Sequence, residues 1–289
     1  MDYRLVLTAA LGALDDVSVA STSAVMGTTP HWLSPGTACE FRTLDLTIIQ
    51  RVHQALGSAP VDANIVPATG RRKRLLLADM DSTIISCECI DEIADFAGVK
   101  PQISAITERA MRGEIEFESA LRERVALLKG LPESTLGKVY ETRVQLNPGA
   151  KILVATMTKA GATAALVSGG FTYFTSRVAE AAGFAQHRAN ELGLTNGKLD
   201  GTVREPILGR EAKRQTLRDL ANQSGIALSD TMAIGDGAND LDMIRESGLG
   251  IAYRAKPVVA QAAHARLDHS DLSAALYLQG YRETELVLA

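Results

Sequence analysis

The chain has 289 residues, 46% of them hydrophobic and 22% charged, with a formal net charge of −4. That length holds one large α/β core plus a smaller domain. The acidic balance argues against a general binder of nucleic acid or of membrane surfaces, because neither phosphate backbones nor anionic lipids attract such a surface. No run approaches the roughly 20 apolar residues of a membrane span. The amino-terminal apolar stretch is short, has charges on both sides and lacks a clear small-residue cleavage site after it. The three cysteines, Cys39, Cys87 and Cys89, are a sparse, odd set that suits a reducing compartment better than a disulfide framework. A soluble, cytoplasmic protein is expected.

In chain order, residues 1–70 carry a strand-like run at 4–7, a turn-rich middle at 27–36, a helix-like segment at 46–56 and an apolar run at 63–66. This pattern predicts a small α+β domain, for which a ferredoxin-like order would fit. The basic run Arg71-Arg72-Lys73-Arg74 follows. It reads as a solvated linker rather than a nucleic-acid or targeting segment, given the acidic whole.

The second domain, 71–289, opens on the apolar run Leu75-Leu76-Leu77-Ala78, which ends in Asp79 and Asp81. Successive amphipathic helices at 91–97, 102–111, 117–128 and 133–140 then predict a helical cap over about 87–145, inserted after the first strand of the core. Beyond it the alternation resumes with a helix at 148–159, a strand at 163–167 and a helix at 171–182. A strand pair around 189–203 turns at Thr195-Asn196-Gly197-Lys198. A helix at 209–224 and further βα repeats complete a Rossmann-like parallel sheet with helices on both faces.

Three apolar runs of this sheet end in polar residues. An open α/β sheet gathers its chemistry at such carboxyl ends. Asp79 and Asp81 close the first run and repel each other unless something positive sits between them; on their own they also fit an acidic strand-to-turn junction. Ser168-Gly169-Gly170 closes the second, where a hydroxyl and exposed backbone could meet a phosphate at a helix start, or Ser168 could simply cap the helix. Asp236, Asn239 and Asp240 close the third. Lys213 lies in the helix between the second and third.

Asp79-Met80-Asp81-Ser82-Thr83, Ser168-Gly169-Gly170, Lys213 and Gly235-Asp236-Gly237-Ala238-Asn239-Asp240 occur in an order and spacing that resembles the haloacid dehalogenase superfamily, and within it the phosphoserine phosphatases, over residues 75–278. The resemblance implies phosphate-monoester hydrolysis of O-phospho-L-serine through an aspartyl phosphate. Asp79 would be the nucleophile and Asp81 the acid that protonates the leaving alkoxide and later activates water. Asp79, Asp236 and a substrate phosphate outweigh the single charge of Lys213, which implies a hard dication. Oxygen-only ligands favour Mg2+, held by Asp79, Asp236 and the Asp81 carbonyl, with Asp240 and Asn239 in supporting positions. Ser168, Gly169, Gly170 and Lys213 would bind the phosphate. Glu88 and Arg124 resemble the residues that read the substrate's amino and carboxylate groups. Met111 and Phe117 resemble apolar cap residues that exclude water. In several such enzymes an ACT-like regulatory or dimerising domain precedes the core, so residues 1–70 match it in position, and a homodimer is the assembly considered.

Glu88 could equally favour a helix start and Arg124 lie on a solvated helix face. Cys87-Glu88-Cys89 lacks the C-x-x-C spacing, and the five histidines form no paired-ligand pattern, so zinc and redox readings are set aside. The rivals are a phosphatase or phosphotransferase for another small phosphate such as phosphohomoserine, and an amino-acid-sensing protein with a vestigial core.

Overall fold

Residues 3–67 fold as a βαββαβ unit in the computed structural model, which describes residues 2–112 and 114–288. The elements are β1 (Tyr3–Thr8), α1 (Asp16–Met26), β2 (His31–Ser34), β3 (Ala38–Thr43), α2 (Ile48–Leu56) and β4 (Asp62–Pro67). Their sheet order is β2-β3-β1-β4, antiparallel throughout, which is the ferredoxin-like order. Three elements depart from expectation. The turn-rich stretch 27–36 contains β2, an edge strand, its partner β3 follows at 38–43 where no strand is expected, and α1 lies where no helix is expected. Its sequence, DVSVASTSAVM, has almost no apolar periodicity and owes its start to Asp15, which accepts from Ser18 N at 2.7 Å.

One face of this sheet, with Leu5, Leu7, Cys39 and Phe41, is covered by α1 and α2. The other, with Val6, Leu33, Ala38 and Val66, joins the main core of the second domain. Polar bonds register the two domains. Asp62 accepts from the backbone N–H groups of Asp268, His269 and Ser270 at 2.9–3.2 Å. Asn64 exchanges two 2.8 Å bonds with the backbone of Arg266. Arg71 pairs with Glu40 at 2.6 Å and donates to the carbonyls of Tyr277 and Leu278. The first residue of the basic run is therefore a fastening between domains, and Arg72 is paired with Glu285.

The second domain comprises β5 (Leu75–Asp79), the cap helices α3 (Cys89–Ala97), α4 (Lys100–Met111), α5 (Phe117–Ala126) and α6 (Ser134–Arg143), then α7 (Ala150–Lys159), β6 (Thr163–Phe171), α8 (Thr172–Ala182), β7 (Gln186–Asn190), the hairpin β8 (Leu192–Thr195) and β9 (Lys198–Val203), α9 (Arg210–Gln223), β10 (Thr231–Gly235), α10 (Leu241–Glu246), β11 (Leu249–Tyr253), α11 (Pro257–Ala262), β12 (Ala265–Leu267) and α12 (Ala274–Leu278). The six-stranded sheet runs β12-β11-β10-β5-β6-β7, all parallel. Successive residues of β5 face opposite sides: Leu76 and Ala78 enter one core, Leu75 and Leu77 the other. Burial on both faces is what a near-continuous apolar strand requires.

The hairpin turns where expected, with Asn196 at φ 53° and Gly197 at φ 72°, the two left-handed residues of a tight hairpin turn. The strand pair nevertheless begins at 192. The preceding segment is β7, an edge strand of the main sheet whose exposed face carries too little apolar pattern to read as such. The hairpin hydrogen-bonds to the α5–α6 turn of the cap, with Leu199 N donating to Leu131 O at 2.9 Å and Gly130 N to Leu199 O at 2.8 Å. The chain order reverses direction between β5 and β10, so the crevice at their carboxyl ends is the switch point of the sheet.

Candidate active site

Side-by-side pairing of β6, β5 and β10 sets Asp79 beside Val167 and Ala78 beside Ile234, so the three polar strand ends meet. β5 stops at Asp79. The next turn holds Ser82 at φ 55°, a left-handed conformation that costs a non-glycine residue about 1 kcal/mol and concentrates at functional sites. Asp81 lies in that turn rather than on the strand. Its Oδ2 accepts from Ser168 Oγ at 2.9 Å and its Oδ1 from Cys89 N, the first residue of α3, at 2.9 Å.

Lys213 is 0% exposed because α9 buries the stripe Lys213, Thr216, Leu217, Leu220 and Ala221 against the sheet. Its Nζ lies 2.7 Å from both Asp79 Oδ1 and Asp240 Oδ1. Burial alone would depress its pKa; the charges and hydrogen bonds of Asp240 and Asp79 outweigh that and raise it. Asp240 also accepts from Gly237 N at 3.0 Å. A Cβ on Gly235 would sit 2.5 Å from Asp240 Cγ, so the glycine is what admits that carboxylate.

One oxygen from each of Asp79, Asp236 and Asp240 lies within 4.8 Å of the others. Three carboxylates cluster beside one lysine, and the surplus shows in the protonation of Asp79 and Asp236. Burial, then repulsion from Asp240, raises Asp79 well above the usual carboxylate range, against the pull of Lys213. The same two causes push Asp236 up to about 6, opposed by a bond from Thr83 Oγ1 at 3.0 Å. An all-oxygen pocket with uncompensated negative charge has the chemistry of a hard divalent-cation site.

Ser168 and the glycines differ from expectation in one respect. β6 continues to Phe171, where it pairs with Asn190 of β7, so the helix starts two residues beyond Gly170. Gly170 N donates to Ser168 Oγ at 2.8 Å, and a Cβ on Gly170 would come 2.9 Å from Asp81 Oδ2. Phe117 of the cap packs on this loop: its Cζ would lie 3.1 Å from a Cβ on Gly169. Asn190, buried and distant in sequence, fixes the loop by donating to Gly169 O at 2.8 Å and accepting from Leu208 N at 2.6 Å.

In the cap, Ser82 Oγ donates to Glu88 Oε1 at 2.6 Å. Glu88 is exposed at the rim of the cleft, yet the protein packed around its carboxyl and then the neighbouring Asp81 charge push it up to about 7. Arg124 is half-buried, donating to Ala120 O at 3.3 Å and Thr107 Oγ1 at 3.5 Å. It has no ion pair among the described residues, unlike Arg109, Arg112, Arg122 and Arg143 of the same cap. Burial lowers its pKa, while the charges of Asp91 and Glu88 oppose that. Asn239 adjoins Gly237, whose hypothetical Cβ would meet its Oδ1. The Met111 side chain lies outside the described residues. Cys87 and Cys89 are free thiols, and a cavity of about 130 Å³ between Leu136 of the cap, Tyr173 and Leu192 holds none of the expected site residues.

Sequence reasoning missed three supporting residues: Thr83, Asn147 and Asn190. Thr83 belongs to a recognised motif and could have been marked; the two asparagines act across long separations and leave no local signature.

Residues 76–245 match the family model for haloacid dehalogenase-like hydrolases, and the chain belongs to that family. It is 46% identical over 202 residues to a phosphoserine phosphatase of Archaeoglobus fulgidus, an alignment that covers 70% of this chain but only 58% of that protein. It superposes on a HAD family hydrolase from Salmonella enterica serovar Typhi with a TM-score of 0.85, at 29% identity over 96% of this chain and 98% of the other. A solved phospho-aspartyl intermediate analogue of phosphoserine phosphatase matches with a TM-score of 0.67 and 40% identity over 71% of this chain and 98% of that one.

Proposed function

We propose that this member of the haloacid dehalogenase-like hydrolases is a phosphoserine phosphatase, hydrolysing O-phospho-L-serine to L-serine and phosphate with Mg2+ as cofactor. The observation that carries the reading is the clustering of the Asp79, Asp236 and Asp240 carboxylates beside one buried lysine, which is paired with Asp79 and Asp240. The likeness to a phospho-aspartyl intermediate analogue of phosphoserine phosphatase supports the choice of Asp79 as nucleophile.

Asp79 attacks phosphorus and carries the phosphoryl group as an acyl phosphate. Lys213, anchored by Asp240, offsets charge on the transferring group and orients the Asp79 carboxylate. Asp81, aimed by Ser168 and by Cys89 N, gives its proton to the serine alkoxide and then takes one from the water that attacks the acyl phosphate. Ser168 Oγ, with Gly169 and Gly170 around it, is the phosphate contact. Asp79, Asp236 and the Asp81 carbonyl would hold the magnesium, with Asp240 and Asn239 beside them; the bound ion supplies Lewis-acid stabilisation of the phosphoryl oxygens.

Glu88 and Arg124 form the specificity pair, one acid for the substrate ammonium and one unpaired guanidinium for its carboxylate. Phe117, with Met111, shields the reaction from water. Residues 1–70 form the accessory domain and 71–289 the phosphatase domain with its cap; the protein acts in the cytoplasm, and a homodimer is the proposed assembly. Among the described residues no helix is long and apolar enough to cross a membrane.

Phosphate release from L-phosphoserine, phosphohomoserine, phosphothreonine and an aryl phosphate, with magnesium and after chelation, tests the reading. Metal-dependent release that strongly favours phosphoserine is expected. Indiscriminate release would remove the roles of Glu88 and Arg124, and no release would favour a binding protein instead.

A further inference from the structure

The two connections between cap and core meet side by side. The chain leaves the core at 84–86 and returns at 145–147, and these segments run antiparallel: Ile85 bridges Leu146, Ser86 N donates to Gln145 O at 3.0 Å, and Asn147 N to Ile84 O at 2.8 Å. Both chain connections of the cap to the core therefore run through this short double strand.

Asn147 closes it on the core side. The residue is 8% exposed, and its Nδ2 donates to Thr83 O at 2.7 Å and to Ile85 O at 3.1 Å. Its own backbone is anchored from behind. Pro148 O accepts from Leu272 N at 3.1 Å, and Gly149, at φ 82°, lies so close to Ser273 N that a Cβ would fall 2.4 Å from it. Thr83, gripped by this amide, is 0% exposed, and its hydroxyl donates to Asp236 Oδ1 at 3.0 Å. The cap's return strand is thus linked, through the Asn147 amide on the Thr83 carbonyl and the Thr83 hydroxyl, to a carboxylate of the cation pocket.

We infer that Asn147 is a positioning residue that couples the cap hinge to the cation site: by holding Thr83 in place it fixes the Asp236 carboxylate for the divalent ion. The inference rests on the metal reading given above. A threonine hydroxyl bound to one carboxylate oxygen selects the rotamer that leaves the other oxygen free for the ion, and such outer partners commonly change metal affinity or activity 10- to 100-fold. Neither Asn147 nor Thr83 needs to touch substrate.

Magnesium binding measured by calorimetry on the full chain, without substrate, tests this. Thr83→Val, which removes a hydroxyl with little change in volume, is expected to raise the magnesium Kd about tenfold, and Thr83→Ser to restore it to within about threefold. Asn147→Ala is expected to raise the Kd by a similar factor. Because Asn147 acts through Thr83, the double variant binds no more weakly than Thr83→Val alone, a non-additivity that general loosening of the fold would not give. An unchanged Kd in either single variant, or additive losses in the double, overturns the inference while leaving the metal site standing. If Asn147→Ala does not fold, Asn147→Asp, which keeps the volume but replaces the donor facing the Thr83 carbonyl with an acceptor, is expected to raise the Kd as much, and an unchanged Kd in it overturns the inference. Absence of magnesium binding in the unaltered chain would overturn the metal reading and this inference together.

Discussion

Two places in this molecule bury aspartate, and they treat it oppositely. At the domain interface Asp62 is 5% exposed, with three consecutive backbone N–H groups around its two oxygens, and its negative charge is absorbed by fixed dipoles. At the strand ends Asp79 and Asp240 share one lysine, and Asp236 beside them accepts from Thr83 Oγ1. The first arrangement is complete in itself. The second carries surplus charge, and only a further positive partner relieves it. Buried acid is therefore a fastening where the fold satisfies each oxygen, and a working site where it leaves charge over.

The cap arginines repeat the contrast with the sign reversed. Arg122 is exposed and matched to Glu205 at 2.7 Å, while Arg124 is half-buried and lacks an acid partner among the described residues. The unmatched member is the one proposed to receive the substrate carboxylate.

The sharpest way to break the comparison is Asp79→Asn. An amide cannot attack phosphorus, so turnover of phosphoserine is expected to fall by at least about 10³-fold while circular dichroism stays unchanged; substantial residual turnover would return Asp79 to a structural role. Next, Arg124→Ala is expected to lower kcat/KM for phosphoserine about 100-fold more than for an aryl phosphate, the cost of removing one member of a desolvated charge pair. Equal losses on the two substrates would place Arg124 in the fold instead.

Asp62→Ala should show the opposite profile. Orphaning a row of buried N–H groups costs about 3 kcal/mol of unfolding free energy in urea, with kcat within about twofold of the unaltered chain. A large loss of kcat with unchanged stability would place Asp62 in the working site instead.

The surplus charge also predicts a pH effect. Asp79 and Asp236 have folded pKa values above the unfolded carboxylate value, so their protonated forms favour the fold. In chelated protein that contribution is present below the unfolded value and is lost as pH rises through the folded values, for Asp236 through about 6. Magnesium should then raise Tm more at pH 7 than at pH 5, by about 5 °C at a hundredfold excess over Kd. An equal gain at both pH values would mean that the ion binds elsewhere. The smallest effect is expected of Arg122→Ala, whose exposed pair should leave both substrates within about twofold.

Much of the architecture was legible because it is local. The buried run of β5, the stripe on α9 and the glycine-marked turn at 196–197 each write their geometry into adjacent residues. The four cap helices were readable for the same reason, their apolar spacing being set within single elements. β2, β3 and β7 were not, since short strands with weak apolar alternation are defined by the partners they pair with. α1 escaped because a single cap bond, not periodicity, starts it.

The sequence by itself determined which residues stand at the carboxyl ends of three strands, and so the kind of chemistry available: nucleophilic carboxylate, hydroxyl, lysine and a set of acids. Tertiary structure alone decided the pairings. It put Lys213 between Asp79 and Asp240, turned Asp81 towards Ser168, tied Asn147 through Thr83 to Asp236, left Arg124 unmatched and fastened the first domain through Asp62. These contacts join residues from tens to more than two hundred positions apart. Chain periodicity carries no information at that range, because packing of the sheet, not local preference, sets which strand ends become neighbours.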